Sequence, residues 1–318
     1  MKQATKAFNL GLVALVCLFL TNARAHADDI YVAGSGNHTI EKFDSSGNGS
    51  VFANASSGLL DPRPIAFDSS GNLYVANYDN NVILKFNSSG TGSIFASSGI
   101  SAPNGLAFDG NGNLYVSNIF SNTIVRFDSH GTESLFASSG LNQPGPLAFD
   151  ASGNIYVGNI GNGTIEKFDS SGHGSVFANS GLSAPWGLAF GSNGNLYVAN
   201  SGNSTIEEFD SSGHGSLFAN SGLNHPRCLA FDSSGTLYVA NWNDGTIEEF
   251  DSSGNGSVFA SMGAYSYPFG VAIQSIPEPT TWILVAMGAT ALFGSCRLRR
   301  RSDSGKGRDR GTEMDRPT

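Results

Sequence analysis

Cysteine is nearly absent from this chain. Three occur in 318 residues, Cys17, Cys228 and Cys296. Cys17 lies in an N-terminal apolar segment and Cys296 ends a C-terminal one, so the body between them holds one thiol and no disulfide framework. Its stability must come from packing. Basic residues are scarce in the same body. Residues 28–275 contain six (Lys42, Arg63, Lys85, Arg126, Lys167, Arg227) against 21 acidic ones, hence a formal charge of −15. Such a surface repels phosphate backbones, which excludes nucleic acid as a partner, and solubility outside the cell is its plain explanation. The whole-chain value of −9 hides this because both ends are basic. A helical period is missing from residues 28–275. No Ser-His-Asp or Cys-His grouping shows a spacing that suggests nucleophilic catalysis.

What the chain does have is one unit repeated six times. The tyrosines Tyr31, Tyr74, Tyr115, Tyr156, Tyr197 and Tyr238 are separated by 43, 41, 41, 41 and 41 residues. A second register, Phe43, Phe86, Phe127, Phe168, Phe209 and Phe250, has the same steps. A fixed period of this size means an array of supersecondary units, each unable to bury its apolar surface alone. Within one unit, Gly105–Asp109, Leu114–Ser117, Thr123–Phe127 and Ser134–Ala137 read as four short strands separated by Gly, Asn, Asp and Ser turns. The second strand is apolar on both faces, as in Leu73-Tyr74-Val75-Ala76. A sheet apolar on both sides must be covered on both sides, which a two-sheet sandwich cannot do. A ring of four-stranded sheets can. The expected fold class is therefore all-β, a six-bladed β-propeller of four-stranded antiparallel blades. The chain starts on a second-type strand, Ile30–Ala33, and the array ends on an orphan first-type strand, Gly270–Ile273. That C-terminal inner strand should join three N-terminal strands, closing the ring and removing open edges.

The repeat, as in Pro103-Asn104-Gly105-Leu106-Ala107-Phe108-Asp109, Gly112-Asn113-Leu114-Tyr115-Val116, Thr123-Ile124 and Phe127-Asp128, resembles the NHL repeat. The resemblance covers all six units and implies the same propeller. One departure is Asn77, Asn118, Asn159, Asn200 and Asn241, where NHL repeats often carry Asp.

The two ends read as addresses. Residues 1–27 have a basic start (Lys2, Lys6), an apolar run from Leu10 to Leu20, and Ala25-His26-Ala27 as a cleavage signal, so Ala27 is the expected processing site of a signal peptide. At the other end Pro277-Glu278-Pro279 precedes an apolar stretch, Thr280–Cys296, and the arginines Arg297, Arg299, Arg300 and Arg301. The stretch is at the lower limit for a transmembrane helix, and the arginines should stay cytoplasmic. Motif, span and basic cluster in this order resemble the PEP-CTERM sorting signal. The resemblance implies processing at Pro277, Glu278 and Pro279 by an exosortase-type membrane peptidase, with transient inner-membrane anchoring and then a cell-surface or extracellular location. The domains expected are thus 1–27 signal peptide, 28–275 propeller, 276–301 sorting segment and 302–318 polar disordered tail.

Comparing the repeats separates two faces of the disc. The turns between strands one and two and between three and four barely vary, as in Asp68-Ser69-Ser70-Gly71 and Asp232-Ser233-Ser234-Gly235. Their Asp and Ser should cap their own turns, since one carboxylate per turn is too few for calcium. The opposite face varies. After the link proline stand Arg63, Asn104, Gly145, Trp186, Arg227 and Phe269, which should ring the channel mouth, with Tyr78, Phe120 and Trp242 from nearby loops. Arginine and aromatics are favoured at recognition sites, so Arg63, Asn104, Trp186, Arg227, Phe269, Tyr78, Phe120 and Trp242 are the expected ligand-binding residues. An extracellular polysaccharide or surface protein is the expected partner; the other reading is that these residues merely plug the channel. Six-bladed propellers of this look include lactonases of the gluconolactonase type, which hold a divalent ion with Glu, Asn and Asp; Asn104 matches such an Asn, but no carboxylate joins it in the ring. Streptogramin-lyase-like propellers would want His and Glu near the channel, whereas Glu207 and Glu208 lie in third strands. The expectation from sequence is therefore an exported, non-catalytic binding or scaffold propeller with no catalytic residues, no metal and no cofactor. The alternative is a metal-dependent lactonase- or lyase-like enzyme.

Overall fold

Side chains alternate across a strand, so a strand that is apolar throughout needs a neighbour on each side. A computed structural model describes residues 28–275 and shows how that need is met. In one blade, strands β4 (Pro62–Phe67), β5 (Leu73–Asn77), β6 (Val82–Phe86) and β7 (Gly92–Ala96) form a four-stranded antiparallel sheet in that order. Six such sheets are present, and every residue of β5 is buried. Tyr74 of β5 meets Phe95 and Phe108 edge-on, both at 4.9 Å between ring centres. Such pairs add about 0.5–1.5 kcal/mol each beyond the area they bury. Tyr31 repeats the arrangement with Phe52 at 5.1 Å and Phe67 at 5.0 Å. The phenylalanines ending the third strands, Phe86 and its five equivalents, are buried to within 2 %. A Cβ on Gly92 would lie 2.5 Å from the Phe86 ring as it is placed, and five of the six outer strands open on glycine; the sixth opens on Glu133, opposite Phe127.

Each core cluster bridges two blades. One joins Tyr74, Ala76 and Ile83 to Leu106, Leu114, Val116 and Phe127 of the following unit. The ring closes as the repeat demands: β24 (Pro268–Gln274) pairs with β1 (Asp29–Gly34), followed by β2 (Thr39–Phe43) and β3 (Gly49–Ala53). Val32 faces Val271 in that seam, and Tyr31 donates to Gln274 Oε1 at 3.2 Å. The single 43-residue step also has a cause. A 3-10 turn, Ala55–Ser57, is inserted between Asn54, which caps it, and Gly58, at a φ of 89°.

The asparagines that end the second strands clip each blade to the link that precedes it. Asn118 accepts from the Ser101 N–H at 2.9 Å and donates to Gly99 O at 2.8 Å and to Thr123 Oγ1 at 3.2 Å. Asn77, Asn159, Asn200 and Asn241 likewise pair with the preceding link. An aspartate could accept but not donate, which explains why asparagine stands here. The constant turns behave as expected: Asp109 Oδ1 accepts from the N–H groups of Asn111 and Asn113 at 2.9 and 2.8 Å. The expected transmembrane helix, like the processing residues Ala27, Pro277, Glu278 and Pro279, lies outside the described residues. Among those described, no helix is long and apolar enough to cross a membrane.

Candidate functional site

Each inner strand opens on a proline and a β-bulge. Pro226 faces Asn241 and Cys228 faces Ala240, leaving Arg227 as the extra, unpaired residue between them. The same shift leaves Asn104 unpaired between Pro103 and Gly105, Trp186 between Pro185 and Gly187, and Phe269 between Pro268 and Gly270. Arg63 stands in the wider bulge between Pro62 and Ile65. A bulge re-aims the side chain it carries. Here it turns five of the varying residues out of the ladder and towards the channel. The residues before these prolines, Asp61, Ala102, Gln143, Ala184, His225 and Tyr267, have φ of 47–51°. Their carbonyls accept from the residue that follows the second strand, as in Tyr78 N–H to Asp61 O at 3.1 Å and Trp242 N–H to His225 O at 3.3 Å. This pins the roots of Tyr78 and Trp242 beside the mouth.

Two cavities share this end of the channel. The outer one, about 350 Å³, is lined by Ser35, Asp61, Arg63, Trp186, Arg227, Trp242 and Phe269. The inner one, about 110 Å³, also touches Trp186, Arg227 and Phe269 and adds Asn104 and Cys228. Seven of the eight residues expected to bind a ligand therefore gather here: five in the outer cavity, Asn104 beneath it, and Tyr78 stacked on Arg63. Phe120 does not reach the cavity. It stands 72 % exposed on the rim, with its ring 6.0 Å from Tyr78.

The two arginines differ sharply. Arg63 donates from Nε and Nη2 to Asp61 Oδ2 at 3.1 and 2.8 Å, and its guanidinium lies 3.2 Å from the centre of the Tyr78 ring. Arg227 has no carboxylate within ion-pair distance among the described residues, and its Nε is buried without a partner. Burial, and then the like charge of Arg63, pushes its pKa down to about 10, so it remains a cation at neutral pH. It is held between aromatic faces instead, 4.0 Å from the Trp186 ring and 4.9 Å from that of Trp242. Asn104 is the second unsatisfied group: its Oδ1 and Nδ2 are both buried and unpartnered, in the inner cavity. Burial pushes the Cys228 thiol up, and Sγ turns towards Val271 O at 3.7 Å, the geometry of packing rather than nucleophilic attack.

Rings and guanidiniums touch in one continuous row across the mouth, the rings edge-to-face except where Trp242 stacks on Tyr267. From Arg227 it runs through Trp242 to Tyr267, stacked at 4.9 Å, and to Tyr265 at 6.4 Å. In the other direction it passes Trp186, Phe269 at 5.6 Å, Arg63 at 5.3 Å from Phe269, Tyr78 and Phe120. Sequence comparison missed Asp61, Tyr265 and Tyr267. Asp61 sits two residues before Arg63, the same-face spacing of an extended chain, which was the signal available. Tyr267 stands before the final link proline, where Asp61 stands in its own unit, and Tyr265 lies two residues earlier in the same link.

The residues do not fit a divalent cation. Asn104 shares its cavity with a guanidinium rather than with carboxylates, and no group of three or more His, Cys, Asp or Glu could hold a metal among the described residues. His38, a loop residue of this face, serves as a clip: Nδ1 accepts from the Asp61 N–H at 2.9 Å.

Comparison with known proteins agrees with the fold. The NHL repeat model matches residues 182–209. No curated relative matches the chain. Similar solved structures include a streptogramin B lyase (TM-score 0.62, 15 % identity, covering 78 % of this chain and 86 % of that one). A virginiamycin B lyase from Staphylococcus aureus (0.59, 16 %, covering 79 % and 89 %) and a gluconolactonase from Xanthomonas campestris (0.57, 18 %, covering 76 % and 87 %) also match. At these identities the likeness is one of fold. It still corrects the expectation of a non-catalytic scaffold: these propellers of the same build are enzymes, and they favour the lactonase- or lyase-like alternative.

Proposed function

We propose that the protein is a propeller enzyme of the lyase kind, acting at the channel mouth on a substrate whose anionic group sits on Arg227. The observation that carries this is the unpaired Arg227 cation in an aromatic cavity. An unpaired, half-buried charge is costly, and a ligand carboxylate would offset that cost through charge-assisted hydrogen bonds. Neutralising a carboxylate also acidifies the C–H bond beside it. Asp61 is the one carboxylate lining the outer cavity and is the group placed to take that proton. As the C–H bond breaks, its electron pair forms a C=C bond; the bond to the β-substituent breaks, and the substituent leaves with its pair and gains a proton from water. No step is routed through a metal, because the side chains do not fit one. The lactonase form of the reading asks for such a site and is the weaker of the two.

Turnover of β-substituted carboxylates, followed by the ultraviolet absorbance of the conjugated double bond, tests this. Arg227→Gln should raise KM at least tenfold, and Asp61→Asn should lower kcat by about 10²–10⁴-fold. Full activity in both variants would overturn the assignment. We further propose export through residues 1–27 and sorting through residues 276–301, supported by the order of motif, apolar stretch and arginines. Mass spectrometry of the mature C-terminus checks this: cleavage near Pro277 supports sorting, and an intact Thr318 refutes it.

A further inference from the structure

We infer that the anionic group seated on Arg227 belongs to a long glycan, one carboxylate-bearing sugar flanked by neutral sugars along the chain; this rests on the lyase reading above. The observation is the length of the aromatic row. A small substrate would be served by the outer cavity alone, which ends at Trp242 on one side and Arg63 on the other. The row continues past both limits, through Tyr267 to Tyr265, 78 % exposed, and through Tyr78 to Phe120, 72 % exposed. Large apolar rings left in water at a cavity rim mark a binding surface. A row of them running outward on both sides of the cavity fits an extended ligand.

Chemistry narrows that ligand. Sugar rings present flat C–H faces that pack on aromatic rings, whereas extended peptides seek strand edges. The outer strand edges of this disc lie on its circumference, away from the mouth, and the inner ones line the channel, whose inner cavity of about 110 Å³ is too small for an added strand. The body carries a formal charge of −15, and its only cations at the mouth are Arg227 and Arg63, the latter already held by Asp61. A densely charged polyuronate would meet repulsion at every residue but one. A chain with a single carboxylate per several neutral sugars can place that carboxylate on Arg227 and stack its neighbours on the outer rings.

Fluorescence titration, reading Trp186 and Trp242, tests this with oligosaccharides of the gellan repeat, which carry one glucuronate per three neutral sugars. The octasaccharide, its carboxyl-reduced form and a glucuronate monosaccharide are compared on wild type, Phe120→Ala, Tyr265→Ala and Arg227→Gln. Both rim positions are exposed, so these two variants keep the fold. Each rim variant should weaken the octasaccharide about fivefold to tenfold and leave the monosaccharide unchanged. Arg227→Gln should abolish the preference for the octasaccharide over its reduced form. Rim variants that bind the octasaccharide as wild type does would overturn the inference, even where short substrates are turned over. Rim-dependent binding without new double bonds would uphold the glycan and overturn only the lyase reading.

Discussion

Replacing Asn159 by aspartate exchanges one amide for a carboxylate of the same shape and so isolates the clip between link and blade. Asn159 is fully buried; it accepts from the Asn142 N–H at 3.0 Å and donates to Gly140 O at 2.9 Å and Thr164 Oγ1 at 3.1 Å. Ionised aspartate keeps the acceptor role and loses both donations. The stranded Gly140 carbonyl costs about 1–3 kcal/mol. Burial beside that carbonyl also lifts the new carboxyl above its unfolded value, and each pKa unit costs about 1.4 kcal/mol. Together these give about 3–5 kcal/mol at pH 7, or roughly 6–20 °C in Tm for a domain of this size. The sign of the pH dependence follows from linkage. A carboxyl whose folded pKa is raised carries no penalty below its unfolded pKa of about 3.9, and the full penalty once pH exceeds the folded value. Protonated aspartate can also donate to Gly140 O. Thermal unfolding by circular dichroism should therefore show a large deficit against wild type at pH 7 that shrinks towards pH 4. A variant within about 2 °C of wild type at pH 7, or a deficit that ignores pH, would refute the clip as the reason for asparagine.

Two further outcomes follow from buried charge. Arg227→Met removes a charge that nothing in the described fold compensates, so it should raise Tm by about 2–6 °C while abolishing anion binding; a fall in Tm would show the charge to be paired. Wild-type stability should peak on the acid side of neutrality. Burial raises the carboxyls of Glu41, Glu166, Glu207 and Glu248, so stability rises as pH falls through their folded values towards the ordinary glutamate range. Turn N–H groups lower those of Asp128, Asp169 and Asp210, and the Asn48 and Asn255 amides those of Asp44 and Asp251, so stability is lost again as these protonate below about pH 4. Glu248→Gln should flatten the neutral side of a Tm–pH profile; an unchanged slope there would discount burial as its cause.

The propeller was legible because its cause is periodic. Tyr74 and Phe86 recur with their equivalents, and a strand such as Leu73–Asn77, apolar on both faces, admits few ways of being covered. The mouth was legible in part. Arg63, Trp186, Arg227 and Phe269 stood out because they break the repeat after its link proline, and the structure supplies the reason in the bulge that turns that position inward. Asp61 was harder to find. Its equivalents Ala102, Gln143, Ala184 and His225 vary as widely as the mouth residues do, and only the fold separates a side chain beside Arg63 from one left in solvent. Tyr267 precedes its link proline as Asp61 does and was hidden by the same variability, whereas Tyr265 lies in a stretch, Gly263-Ala264-Tyr265-Ser266, that matches no other link.

The same mouth residues bear on whether this is an enzyme or an inert plug. A plug would be selected for packing, and packing favours apolar side chains over a guanidinium without a counter-charge. Arg227 shares its surroundings with Asn104, whose two polar atoms are also buried and unpaired. Two orphaned groups in adjoining cavities, one a cation and one both donor and acceptor, cost stability that an apolar pair would not. Elsewhere among the described residues Asp28 Oδ1 is the one other buried side-chain polar atom without a partner; the Asn118 amide makes three hydrogen bonds, and turn aspartates such as Asp109 cap their own turns. An orphaned guanidinium nitrogen and an orphaned amide side by side at the varying end of the channel are what a site leaves open for a ligand carrying the complementary charge and hydrogen-bonding atoms.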